Sequence, residues 1–293
     1  MLDLSRCTLL FVETRAHKIT KRVIDDCLSK ATFGEVLIFT DKPDLIPVPG
    51  ARYVPVPDFE NKKLAGRFYY AEAMAYVNTE FALMLEWDAG IFDASKWRPE
   101  FFDYDYIGAP WVRPVGDPQN VGNGGFMLIT KRLGQYAVDN YKRLPVHTDW
   151  EMCRVQRRHY EAAGFKWPEA QLASYFAWEL GPRNPDHFGY HGAFTWPTVL
   201  SREEVIIRAR LMLETQYLTV KARQLFSKAP WLEQALSPEE VKQFHTNIPP
   251  GYRLQPQIPG VLSPQQRAAM LLMHAQRRGL ITNRQQINSG SKA

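Results

Sequence analysis

Apolar residues come in short unbroken runs over the first 200 positions and at helical spacing thereafter. Thr8-Leu-Leu-Phe-Val12 and Glu35-Val-Leu-Ile-Phe-Thr40 are two such runs, closed by Glu13-Thr14-Arg15 and by Asp41 and Pro43. Phe81-Ala-Leu-Met-Leu85 is a third, running into Glu86-Trp87-Asp88 and stopping at Gly90. The pattern is shared with a buried helix, but runs this short between turn residues read as strands covered on both faces. Residues 19–30 carry Val23, Ile24, Cys27 and Leu28 at helical spacing, so the opening is strand, helix, strand at the length of a crossover unit. Residues 42–60 are Pro-rich, predicting a loop with a short edge strand at Arg52-Tyr-Val54. A helix over 62–77 then leads into the Phe81 strand, repeating the unit. Further along, the pattern predicts a helical turn over 93–102, a strand-like crossing at 104–108 and a strand at 124–130. It also predicts a helix over 131–141, one from Thr148 or Asp149 to Ala163, and a short one over 169–176. The alternation predicts an α/β fold with a mostly parallel central sheet.

From Ser201 the composition shifts to long helical patterns at 202–226, 237–244 and 263–278. The last starts Ser-Pro and ends Arg277-Arg278-Gly279, as helices do. Residues 283–293 are polar and are expected to be disordered. The expected division is a catalytic α/β part at 1–200, a helical extension at 201–282 and a tail at 283–293. Basic residues in the extension, among them Arg208, Arg210, Lys221, Arg223, Arg277 and Arg278, suit an anionic membrane surface or a protein partner. The plainer role is packing against the α/β part.

Hydrophobic and charged contents of 45% and 23% over 293 residues fit a folded globular chain with a sizeable core. A net charge of +5 favours phosphates and anionic surfaces, but no basic block is long enough to predict nucleic-acid binding. Cys7, Cys27 and Cys153 are widely spaced and form no CxxC, which argues against a disulfide framework or a structural zinc site. A reducing compartment follows as the expectation. The N-terminal apolar run ends at Glu13 and does not read as a signal peptide, and no stretch nears the ~18 apolar residues of a membrane span. The expected location is cytoplasmic, or peripheral at the inner face of a membrane.

The candidate chemistry lies where the predicted strands end. Glu86 and Asp88, two residues apart on an extended segment, point the same way. Open α/β sheets bind ligands at the carboxyl ends of their strands, where carboxylates hold a divalent cation and the cation holds phosphates. The plain alternative is an acidic cap on the next turn. Thr14, Arg15 and Asp41 occupy the equivalent ends of the first two strands, as either nucleotide contacts or solvated loop. Gly122-Asn123-Gly124-Gly125 is the tightest glycine cluster, able to turn sharply or approach a ligand closely. It is not GxGxxG, and the chain has no GxxxxGK[ST], which argues against a Rossmann dehydrogenase and a P-loop NTPase. Asp149 is either a helix cap or a general base, with Glu151 as the rival base. His191, in Gly189-Tyr-His-Gly192, is either a satisfied side chain or a metal ligand. Trp111 and Trp196 either stack on a sugar or pack in the core.

Four blocks, Val12-Glu13-Thr14-Arg15, Glu86-Trp87-Asp88, Val121-Gly-Asn-Gly-Gly-Phe126 and Phe188-Gly-Tyr-His-Gly192, occur in that order together with Asp103-Tyr-Asp-Tyr-Ile-Gly-Ala-Pro-Trp111. As a set over residues 8–195 they resemble GT-A-type nucleotide-sugar glycosyltransferases, and more narrowly a family of bacterial glycosyltransferase-like domains. The resemblance implies a Rossmann-like three-layer α/β/α fold and transfer of a sugar, commonly from a uridine diphosphate donor, to a glycan or glycoconjugate hydroxyl. It implies Mn²⁺ or Mg²⁺ on Asp88 and His191, with Glu86 standing where the usual DxD element has its first aspartate. It places Glu13, Thr14, Arg15, Asp41, Trp87 and Asp88 toward the donor. Asn123, Gly124, Gly125 and Trp111 face the sugar and acceptor, and Asp149 or Glu151 acts as base. The competing reading is a non-catalytic nucleotide- or glycan-binding module on the same fold. A sugar-phosphate nucleotidyltransferase would carry a Gly-rich basic loop after the first strand, which Glu13-Thr14-Arg15 is not. A metal-dependent phosphodiesterase would need more clustered Asp and His.

Overall fold

The computed structural model describes residues 1–246 except 60–61, 113–116, 118 and 215–218. All of these lie in the first of two compact units, Met1–Pro250. The expected helix at 263–278 and tail at 283–293 fall outside the described residues.

The chain opens β1 (Leu2–Val12), α1 (His17–Lys30), β2 (Ala31–Thr40), β3 (Arg52–Pro55), α2 (Lys62–Tyr70), β4 (Phe81–Leu85). It continues with β5 (Gly90–Ile91), β6 (Tyr106–Gly108), β7 (Phe126–Thr130), α3 (Lys131–Asp139), α4 (Arg157–Ala162) and α5 (Ala170–Phe176). After β8 (Ala177–Trp178) and β9 (Gly189–Tyr190) come α6 (Trp196–Val199), α7 (Arg202–Leu213), α8 (Thr219–Lys228), α9 (Leu232–Ala235) and α10 (Pro238–Thr246). The main sheet has the order β3-β2-β1-β4-β7-β6. Its pairs are parallel from β3 through β4, and β7 alone runs against its neighbours. The fold is thus mixed α/β on a mainly parallel sheet.

Side-chain alternation along each strand explains the layering. Leu9 and Phe11 of β1, with Leu83 and Leu85 of β4, enter a core shared with α1, α5 and α7 to α10. Leu10, Ala82 and Met84 face the opposite core, shared with α2 and α3. Every residue of β4 is buried, as its unbroken apolar run predicts. The chain after α6 joins the first core through Val205, Ala209, Met212, Leu225, Leu232 and Phe244.

Several elements differ from their sequence expectation. The helix expected over 62–77 ends at Tyr70, because Ala71 (φ −134°, ψ −70°) leaves the helical region, and a 3₁₀ turn covers Glu72–Tyr76. The helix expected to reach Ala163 contains a π-turn, Glu151–Val155, before α4. The expected segment 202–226 is divided between α7 and α8. Strands β1 and β2 start earlier than their apolar runs, with exposed polar residues completing their first turns of pairing.

Candidate metal centre

Strand order reverses beside β1. The chain adds β2 and β3 on one side, then returns to place β4 on the other. Ligands of open α/β sheets sit at such a switch point, outside the carboxyl ends of the strands. Residues 13–15 leave β1 there and residues 86–88 leave β4. Because β7 is antiparallel, with Phe126 opposite Leu85, its preceding Asn123-Gly124-Gly125 reaches the same edge. Glu86 N–H donates to Gly125 O at 2.9 Å and joins the two segments.

A second, small sheet of order β5-β9-β8 brings in the rest. Pairing of Gly90 with Tyr190 sets His191 beside Asp88, and Gly90 is required because a Cβ there would strike the Tyr190 ring. The fully buried Asp88 is anchored twice: its Oδ2 accepts from Ala193 N–H at 3.3 Å, and its main-chain oxygen accepts from Trp196 Nε1–H at 3.2 Å. His191 Nε2 lies 3.3 Å from Asp88 Oδ1 and 3.5 Å from Glu86 Oε2. One donor atom from each of Glu86, Asp88 and His191 lies within 4.8 Å of the others.

Glu179, just after β8, was not foreseen. Its Oε1 is 3.2 Å from His191 Nδ1 and its Oε2 accepts from Asn123 Nδ2–H at 2.6 Å. The sequence held a signal for it: apolar Ala177-Trp178 runs into a carboxylate before Leu180-Gly181-Pro182, as β4 runs into Glu86. The buried imidazole, 9% exposed, thus faces three carboxylates at ion-pair distance, while neither ring nitrogen makes an aligned hydrogen bond. Burial works to lower the His191 pKa, but the Asp88 charge, with further contributions from Glu179 and Glu86, carries it well above its ordinary value.

Asp149 completes the acidic wall. Its Oδ2 accepts from Gly124 N–H at 3.1 Å and its Oδ1 from Trp150 N–H at 2.7 Å. Burial raises its carboxyl pKa; the two amides pull the other way, and the charges of Glu86 and Glu179 add to the rise. The Tyr69 hydroxyl, raised well above its ordinary value by burial and then by Glu86, Asp149 and Asp88, faces the same group. Several acids gathered around one imidazole fit a divalent cation: oxygen and imidazole donors suit Mn²⁺ or Mg²⁺, and a cation offsets their mutual repulsion.

The cap and base candidates separate here. Thr148 Oγ1 accepts from Glu151 N–H at 3.2 Å, and Glu151 Oε2 accepts from His147 N–H at 2.7 Å. Glu151 reaches one residue further back than in a capping box, to His147 and not to Thr148, yet it is engaged in holding the helix start, and Thr148, not Asp149, accepts the cap hydrogen bond. Glu13 is likewise engaged: its buried carboxylate accepts from the Arg15 and Ala16 amides, both at 2.6 Å, and from Thr20 Oγ1 at 3.0 Å. Thr14 and Arg15 both reach Asp58 at 3.2 Å, and Asp41 is 2.7 Å from His17 Nε2. Trp87 packs edge-on to the buried Trp196, whereas Trp111 lies 5.3 Å from the half-exposed ring of Trp150.

Residues 58–191 match a protein family described as "Protein of unknown function (DUF5672)". That interval contains Glu86, Asp88, Asn123, Asp149, Glu179 and His191. No curated protein matches the chain.

Proposed function

We propose that this chain is a metal-dependent glycosyltransferase of GT-A architecture. It moves a sugar from a nucleotide-diphosphate donor, a uridine diphosphate sugar foremost, to a hydroxyl of a glycan or glycoconjugate. The observation that carries the reading is the convergence of Glu86, Asp88 and His191 at the switch point of a mainly parallel sheet. These three residues would hold Mn²⁺ or Mg²⁺, which supplies charge neutralisation at the diphosphate oxygens as the sugar leaves.

The chain's own residues do the remaining work. Asp149 is fixed by two backbone amides, and its raised pKa makes it a stronger base than an ordinary carboxylate. It accepts the proton of the acceptor hydroxyl. Glu13 holds the loop after β1, so that Thr14 and Arg15 are presented toward the donor from β1 and Asp41 from β2. Trp111 and Trp150, with ring centroids 5.3 Å apart and Trp150 adjoining Asp149 in the chain, would offer ring surface for the acceptor sugar.

The test is thermal shift of the full chain against nucleoside diphosphates, with and without Mn²⁺, in the unsubstituted protein and Asp88→Asn. A ligand that binds the native state raises the melting temperature by mass action. The expected result is a rise that needs both nucleotide and Mn²⁺ and disappears in a folded Asp88→Asn. An undiminished Mn²⁺-dependent rise in that variant refutes the site. Nucleotide binding with no transfer to any hydroxyl acceptor, and no donor hydrolysis, would point instead to the non-catalytic binding module.

A further inference from the structure

We infer that Glu179 is a positioning residue: it holds the His191 ring with Nε2 toward a divalent cation and couples that ring, through Asn123, to the turn that carries Gly125. The inference rests on the metal reading above. Its geometry is independent of it.

The imidazole nitrogens point to different partners. Nε2 faces the two carboxylates of the ligand cluster, Asp88 and Glu86. Nδ1, on the other edge of the ring, faces Glu179 Oε1 at 3.2 Å. Glu179 is not among the three residues whose donor atoms converge, so it stands behind the ring and not beside the ion. A ligating imidazole must present a lone pair at one nitrogen and carry its proton on the other. An outer carboxylate on the protonated nitrogen fixes both the tautomer and the ring orientation.

Glu179 is itself held. Its second oxygen accepts from Asn123 Nδ2–H at 2.6 Å, Asn123 Oδ1 accepts from Gly125 N–H at 3.1 Å, and Gly125 O accepts from Glu86 N–H at 2.9 Å. The relay therefore starts at one ligand, His191, and closes on the backbone of another, Glu86. His191 is further pinned by its own N–H to Trp178 O at 3.0 Å, in the residue before Glu179. Ring, carboxylate, amide and glycine turn are thus linked in series, by an ion-pair contact at the ring and by hydrogen bonds beyond it.

The test is Mn²⁺ titration of the full chain, with the free ion followed by electron paramagnetic resonance, alongside metal-free melting temperatures. Glu179→Leu should weaken Mn²⁺ binding by about 10–100-fold, the effect typical of an outer-shell partner. Glu179→Gln keeps an oxygen able to accept from Nδ1–H but sets its amide NH2 against that of Asn123, so it keeps the link to the ring, loses the outer link and should weaken binding clearly less than the Leu variant does. Asn123→Ala cuts that same outer link, should weaken binding to an extent similar to the Gln variant, and serves if the Leu variant does not fold. The metal-free melting temperatures establish that each variant is folded before its affinity is compared. A Gln variant as weak as the Leu variant overturns the assignment, since charge or direct ligation, and not orientation, would then be what matters. Undiminished affinity in a folded Leu or Ala variant also overturns it. If the unsubstituted chain binds no Mn²⁺, or binds it equally well as His191→Ala, the metal reading itself fails.

Discussion

Gly125→Ala puts the site's geometry under the most direct strain. A Cβ at Gly125 would lie 2.1 Å from His191 Nε2, and its three nearest atoms would all belong to that ring. Ordinary contact begins near 3.4 Å, so the overlap is about 1.3 Å, against a flat ring and not the end of a flexible chain. Neither side yields easily. Gly125 is tied by its N–H to Asn123 and by its carbonyl to Glu86 N–H, and His191 is tied by its N–H to Trp178 O. Overpacking of this kind costs about 2 kcal/mol, or roughly 4–8 °C in melting temperature for a chain of this size. The ring that gives way is also the proposed ligand, so Mn²⁺-dependent stabilisation should be lost as well. A double-mutant cycle isolates the cause: in a His191→Ala background the same Ala should cost nearly nothing, because the obstructing ring is absent. If Gly125→Ala is equally costly with and without the His191 ring, the proposed clash is not what Gly125 avoids.

Three further outcomes follow from the same structure. Asp149→Asn should abolish sugar transfer in single-turnover assays while keeping Mn²⁺-dependent nucleotide binding, whereas Glu151→Ala should lose about 1 kcal/mol of stability, as a cap residue does, and keep transfer. His187 is fully buried; burial lowers its pKa from 6.5 to about 4, Nδ1–H donates to Gly189 O at 2.8 Å, and Nε2 accepts from Arg183 at 2.9 Å. Between those values the unfolded chain binds the extra proton, so stability is full above about pH 6.5 and falls toward pH 4 by up to about 3 kcal/mol; urea unfolding against pH should show that slope reduced in His187→Asn. A chain ended at Leu200 should aggregate or bind a hydrophobic dye, since Val205, Ala209, Met212, Leu225 and Leu232 would no longer cover the core on the α1 side of the sheet; a monomeric, cooperatively melting truncation would show those helices to be dispensable.

The main sheet was legible because its strands are continuous apolar runs with one possible partner environment. Phe81–Leu85 reads as buried on both faces and is. The small sheet was not, because β5, β8 and β9 have two residues each, too few for any periodicity. Glu179 was missed for that reason, since only the pairing of β8 with β9 brings it to His191. The meeting of Asp88 and His191 was expected from a resemblance, not from spacing. Glu151 is a different case: Thr148-Asp-Trp-Glu151 has the S/T-x-x-E spacing of a helix start, and its carboxylate turns back onto the His147 amide. The break at Ala71 had no sequence signal, being neither Gly nor Pro.

The two-residue pairing of β5 with β9 also fixes when the site can exist. Asp88 is secured by hydrogen bonds from residues 105 and 108 positions later, Ala193 and Trp196. At ~5–20 residues per second, a ribosome needs roughly 5–20 s to synthesise that interval. Through it β1, β2 and β4 can already pair, leaving Glu86 and Asp88 without their histidine. Contacts this distant in sequence close slowly, after the local ones. On the metal reading proposed above, cation capture would thereby be a late event in the life of the chain. A cation held there would not template the sheet but would select among molecules whose sheet is already built.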